Sequence, residues 1–235
     1  MPDLDRGVEV WRYDRRALLL RLLHICDSLF PIGSFGYSDG LEAAVAESDV
    51  ASGLSRTDML REWFGVCLDE TIGRFEGPLV WRAHRAFSTS DREALTRLDE
   101  ESLALRPTAD LRKASRAMGH RLVTTWAALY PDPRLDGTWS LPVAFGCVAA
   151  ASDIDALSAI AAFAYTRLAS TASAAMRLMP IGQTDTHALL ARALDRLPGV
   201  VDTLIARDAD PEIFTPIVDI VSMQHRYMHS RLFRT

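Results

Sequence analysis

The sequence predicts an all-α protein, a single compact bundle of about ten helices spanning residues 1–235. Two observations carry this. Apolar residues recur at three- and four-residue spacing along almost the whole chain, whereas sustained apolar–polar alternation is hard to find. Prolines and glycines stand where the periodic runs stop, so the breaks read as interhelical turns.

The elements follow in order. Residues 1–13 carry no helical signal and are expected to be flexible. Residues 14–29 form a first helix with Leu18, Leu19, Leu22, Leu23 and Cys26 on its inner side, stopped by Pro31 and Gly33. A short helix over 38–47 follows. Ser55, with Asp58 three residues on, caps a helix through Ile72, and Gly73 and Gly77 frame the next turn. Helices over 78–87, 90–104 (Ser90 and Glu93 as the cap pair) and 107–130 continue the series to Pro131 and Pro133. After the apolar stretch LPVAFGCVAAAS, Ser152 and Asp155 open an Ala-rich helix to about Leu178. Its small side chains let neighbours approach closely, which marks it as the central, most buried helix. Helices over 186–197 and 198–207 precede a last one opened by Thr215 and Pro216.

Composition excludes several functions. The 235 residues carry 31 acidic and 26 basic side chains, a net charge of −5, which disfavours a general nucleic-acid binder. No run approaches the roughly 18 apolar residues of a membrane span. The start, MPDLDRGVEVWRYDRR, lacks the basic-then-apolar order of a secretory signal, so a cytoplasmic location is expected. Cys26, Cys67 and Cys147 are odd in number and without CxxC spacing, and read as reduced core thiols. The one lysine, Lys113, follows no glycine-rich turn, so there is no P-loop. GxGxxG, GxSxG and HExxH are absent too, and no cofactor is expected.

Three segments carry chemistry that a bundle alone does not require. In Asp27–Glu42, DSLFPIGSFGYSDGLE, Pro31, Gly33, Gly36 and Gly40 interrupt two helices and present Phe35 and Tyr37. The segment reads as an interhelical turn or as a docking loop. In Arg177–Leu190, RLMPIGQTDTHALL, Pro180 and Gly182 break a long helix and leave Gln183 at the joint. Residues 220–235 hold Arg226, Arg231 and Arg234 and no acid, so this tail is +3 against −8 for the rest. A tail with Leu232 and Phe233 beside arginines reads as one that becomes ordered when a partner covers it. His225 and His229, four apart, would share one helical face at metal-ligand spacing. They read as surface histidines, with a transient metal contact as the alternative.

Together these segments resemble the UreF family of urease accessory proteins: the loop from Asp27 to Glu42, the joint Pro180-Ile-Gly182-Gln183-Thr184 and the ending Ser230-Arg-Leu-Phe-Arg-Thr235, in this order and at these distances. Asp39 and His229 depart from the family's usual pattern. The resemblance implies an all-α, often dimeric scaffold without catalytic activity of its own. It would bridge UreD (also called UreH) and the GTPase UreG, help to load nickel into apo-urease and modulate GTP hydrolysis by UreG. Candidate partner contacts are then Gly33, Phe35, Tyr37 and Glu42 in the loop, Gly182 and Gln183 in the joint, and Arg231, Leu232, Phe233 and Arg234 in the tail. The rival from another class is a small helical metal-binding enzyme using His225 and His229.

Overall fold

The computed structural model describes residues 14–51 and 55–234; the segment expected to be flexible, 1–13, lies outside the described residues. The described residues are helical with no strand among them. In chain order the helices are α1 (Arg15–Cys26), α2 (Leu41–Ala51), α3 (Arg56–Val66), α4 (Gly77–Ser88), α5 (Arg92–Ala104), α6 (Ala109–Leu129), α7 (Leu141–Ala151), α8 (Ala156–Leu178), α9 (Gln183–Arg207) and α10 (Pro216–Gln224). Short 3₁₀ turns cover Ser34–Gly36 and His225–Tyr227, and a π-helical segment, Cys67–Glu76, joins α3 to α4.

The starts of the helices obey local chemistry. Asp14, Ser55, Asp91, Thr108 and Asp155 each accept a hydrogen bond from a backbone N–H of the first turn. Two expected caps shift by a few positions. Asp91, not Ser90, caps α5, because Ser90 takes φ +57° in the preceding turn, and Asp155, rather than Ser152, opens α8.

Tertiary packing corrects the sequence reading at four places. Helix α3 does not end at a turn framed by Gly73 and Gly77 but runs on through the π-helical segment into α4. There the missing side chain of Gly77 admits Leu204 of α9: a Cβ would lie 2.5 Å from Leu204 Cδ1. Helix α9 is likewise continuous through Pro198, because Leu189, Leu190, Leu197, Val201 and Leu204 bury one face across the proline and offset the lost backbone bond. The most buried helix is α7, with every residue from Leu141 to Ala149 buried, whereas α8 exposes Leu157 and Tyr165. Gly146 permits this closeness, since a Cβ there would stand 2.6 Å from the Val80 carbonyl oxygen of α4. Finally, the inner stripe expected of α1 is split. Ile25 is buried, with Leu22 and Cys26 half-buried beside it, but Leu19 and Leu23 are exposed along with Leu20.

Cys147 is buried and Cys26 and Cys67 are half-buried, and burial pushes all three thiols up to about 12. A thiol raised in the folded state favours folding fully below its unfolded value near 9, and that contribution is lost as pH rises toward 12. Alkylation of the native protein by iodoacetamide at pH 8 should therefore be slower than that of the urea-unfolded chain by more than about tenfold. Mass-spectrometric counting of labelled thiols over time measures this.

Candidate functional site

Two of the three segments singled out by sequence converge on one carboxylate, and the third sends one side chain to the same place. Glu42, in the first turn of α2, is buried and takes three donors. The Leu232 N–H lies 2.5 Å from Oε1, the Phe233 N–H 3.1 Å from Oε2, and His225 Nε2 2.7 Å from the same Oε2. A buried carboxylate needs such compensation, and backbone N–H groups of a bent segment supply it without long side chains. The Arg234 N–H donates to the Gly36 carbonyl at 2.9 Å, so the tail is fastened along the loop.

Arg177, near the end of α8, closes the arrangement. Its Nη1 donates to the Phe35 carbonyl oxygen at 3.0 Å, and its guanidinium lies over the Phe233 ring at 4.3 Å and the Phe35 ring at 4.8 Å. Glycine geometry makes the close approach possible. Gly40 has φ +90°, and a Cβ there would stand 2.5 Å from Ser222 Oγ of α10. Gly33, φ +79°, lies under Arg121, which donates to the Ile32 carbonyl.

A second carboxylate of the loop faces the opposite way. Asp39, φ +51°, pairs with Arg167 of α8 at 2.7 Å; Arg167 also meets Glu76 at 2.9 Å, and Glu76 meets Arg106 at 2.8 Å. Burial alone would lower the pKa of Arg167, but the Asp39 and Glu76 carboxylates outweigh it and hold the guanidinium above its ordinary value. This alternating chain of charges ties the loop to the π-helical segment and the turn after α5. It borders a largely apolar cavity of about 80 Å³ that α10 closes on one side.

The expected contact residues therefore divide. Tyr37, Glu42 and Phe233 are buried within the chain itself, so the side chain of Phe233 belongs to the fold and its ring packs under Arg177. Phe35, Leu232, Arg231 and Arg234 remain exposed around them, as do Gly182 and Gln183 at the start of α9. For Phe233 the cover comes from within the chain, whereas Leu232 keeps an exposed side chain. The shared helical face of the two histidines does not form. Helix α10 ends at Gln224, His225 turns inward to Glu42, and His229 lies exposed beyond the 3₁₀ turn. Among the described residues, no group of three or more His, Cys, Asp or Glu side chains is placed to hold a metal ion.

Sequence reasoning missed Arg177 as the clamp and the Asp39–Arg167–Glu76–Arg106 chain. A signal existed for the second. Arg167 is a cation in the middle of an alanine-rich helix, and such a residue requires a carboxylate close by. Beyond Leu232, which the sequence reading named, Phe214, Ile217, Ile220, Met223 and Tyr227 are exposed large apolar side chains, with Ile217, Ile220 and Met223 forming a row along α10.

The fold and this arrangement define an all-helical protein organised around a loop that holds its own C-terminal segment, with apolar surface left open beside it. The family model UreF matches residues 54–194. The chain is 35% identical to the urease accessory protein UreF of Azoarcus sp. (strain BH72), covering 92% of this chain and 95% of that one. It is 33% identical over the full length of both chains to that of Rhodopseudomonas palustris (strain HaA2), and 31% identical to that of Methylorubrum populi, over 92% and 98%. The chain belongs to the UreF family.

Replacing Glu42 with alanine leaves two backbone N–H groups and one imidazole without their acceptor, and should cost about 3 kcal/mol. The tail should then be cut by trypsin at Arg226 and Arg231 at concentrations that spare the parent protein. Timed proteolysis with mass spectrometry, together with urea unfolding, reads both effects.

Proposed function

We propose that this chain acts in urease maturation as a cytoplasmic scaffold that catalyses no reaction itself. It bridges UreD/UreH and UreG, assists nickel insertion into apo-urease, and modulates GTP hydrolysis by UreG. Family membership supports the setting, and the single observation that carries the scaffold reading is the exposed apolar row on α10 and the tail. Three exposed large apolar side chains at helical spacing, Ile217, Ile220 and Met223, with Phe214, Tyr227 and Leu232 exposed on the segments either side, are a protein-docking surface in a chain of this kind. Arg231 and Arg234, exposed in the tail on either side of Leu232 and Phe233, add positive charge there. Such a scaffold acts on the GTPase by differential binding, since it can shift an equilibrium only by contacting one state more tightly.

A second surface fits a copy of the same chain. Leu19, Leu20 and Leu23 lie exposed on α1, and Leu157 and Tyr165 on the α8 helix it packs against, an apolar face suited to two-fold pairing. Replacing Leu19 and Leu23 with arginine should halve the mass seen by light scattering and leave the helical circular dichroism unchanged.

The decisive measurement is urease activity and bound nickel after co-expression of apo-urease with its other accessory proteins, with and without this chain. Both should depend on it. Ile217→Asp should abolish co-purification with the accessory complex and lower activity in step. Full maturation in the absence of the chain would reject the reading.

A further inference from the structure

The cavity beside α10 has a composition that the fold alone does not account for. Its walls are Trp63 of α3, Leu111 and Met118 of α6, and Val218 of α10. Its charged lining residues are Asp39, Glu76 and Asp219 against Arg106 and Arg167, which leaves one carboxylate in excess. The two guanidiniums are already engaged by Glu76 and Asp39, so an anionic group entering the cavity would find its cations occupied. Asp219 is the lining carboxylate without a cation among the described residues, its side chain taking only the Thr215 hydroxyl at 3.1 Å. Ser222 Oγ, also lining the cavity, is buried without a hydrogen-bond partner.

These groups stand on the helix that carries the exposed apolar row. Val218, Asp219 and Ser222 line the cavity, while Ile217, Ile220 and Met223 point to solvent, so α10 borders both the row and the cavity. A protein laid along that row would pass beside the cavity. Interfaces gain much of their affinity where one side chain fills a well-packed pocket.

We propose that the cavity receives a lysine side chain of the protein that covers α10, its alkyl stem lying along Trp63, Met118 and Val218 and its ammonium group set beside Asp219 with Ser222 Oγ as an acceptor. With Oδ1 already accepting from Thr215, Asp219 has no free pair of oxygens for the bidentate grip of a guanidinium, whereas the compact ammonium of lysine needs only one. This rests on the docking reading of α10 given above, and adds to it the chemistry of the partner's anchor.

Two measurements on the full chain test it. In the first, n-butylammonium, a mimic of the lysine side chain, is titrated against 1-butanol while the Trp63 indole and Met118 methyl signals are followed by NMR. The cation should move both signals at about tenfold lower concentration than the alcohol, and Asp219→Asn should erase the difference; equal response to the two probes overturns the proposal. In the second, Asp219→Asn should weaken association with the accessory complex about tenfold, with thermal unfolding unchanged. If Asp219→Asn binds as the parent while Ile217→Asp loses binding, the anchor is refuted and the docking surface stands. If neither variant changes binding, both fail.

Discussion

Two carboxylates three residues apart, Asp39 and Glu42, govern how this chain holds together. They point to opposite sides of one short loop. Asp39 reaches into the body through Arg167, and Glu42 reaches out to the tail through two backbone N–H groups and His225. Glu42 could not be buried alone, because an isolated carboxylate in an apolar setting is far too costly. Each therefore fixes its partner as firmly as its partner fixes it. The positive φ values at Gly33, Asp39 and Gly40 are the backbone condition for placing both.

The same constraint explains what stays outside. Because the tail bends at Leu232 and Phe233, their successive N–H groups both reach Glu42, and Phe233 turns in under Arg177 while Leu232 and Arg234 stay exposed. Ile217, Ile220 and Met223 on α10, and Arg231, Leu232 and Arg234 in the tail, stay exposed outside this contact.

Much of the fold was legible in the sequence because helical periodicity and capping are local. Ser55 and Asp58, and Thr215 with Pro216, mark real helix starts. What could not be read was whatever depends on neighbours distant in sequence. Gly73, Gly77 and Pro198 look like stops, but packing against α9 and its partners carries the helices through them. The three site segments were recognisable as exceptions to a plain bundle. The meeting of loop and tail at Glu42 was not, since nothing in Glu42 itself marks it as buried rather than as an ordinary acid in a helix's first turn. Likewise the pairing of His225 with His229 rested on a helix that in fact stops at Gln224.

The bond between Glu42 and Leu232 spans 190 positions. Closing so long a ring has a large entropic cost that is recovered only once the intervening helices have already drawn the ends together. This contact therefore belongs to the last stage of folding, after the bundle has condensed. Its strength governs how fast the finished structure comes apart, and has little influence on how fast it is made. The seam that completes the molecule is by the same logic the first to open. Such an opening would bare the row's flank and the cleft under Arg177 while the helical body stays intact.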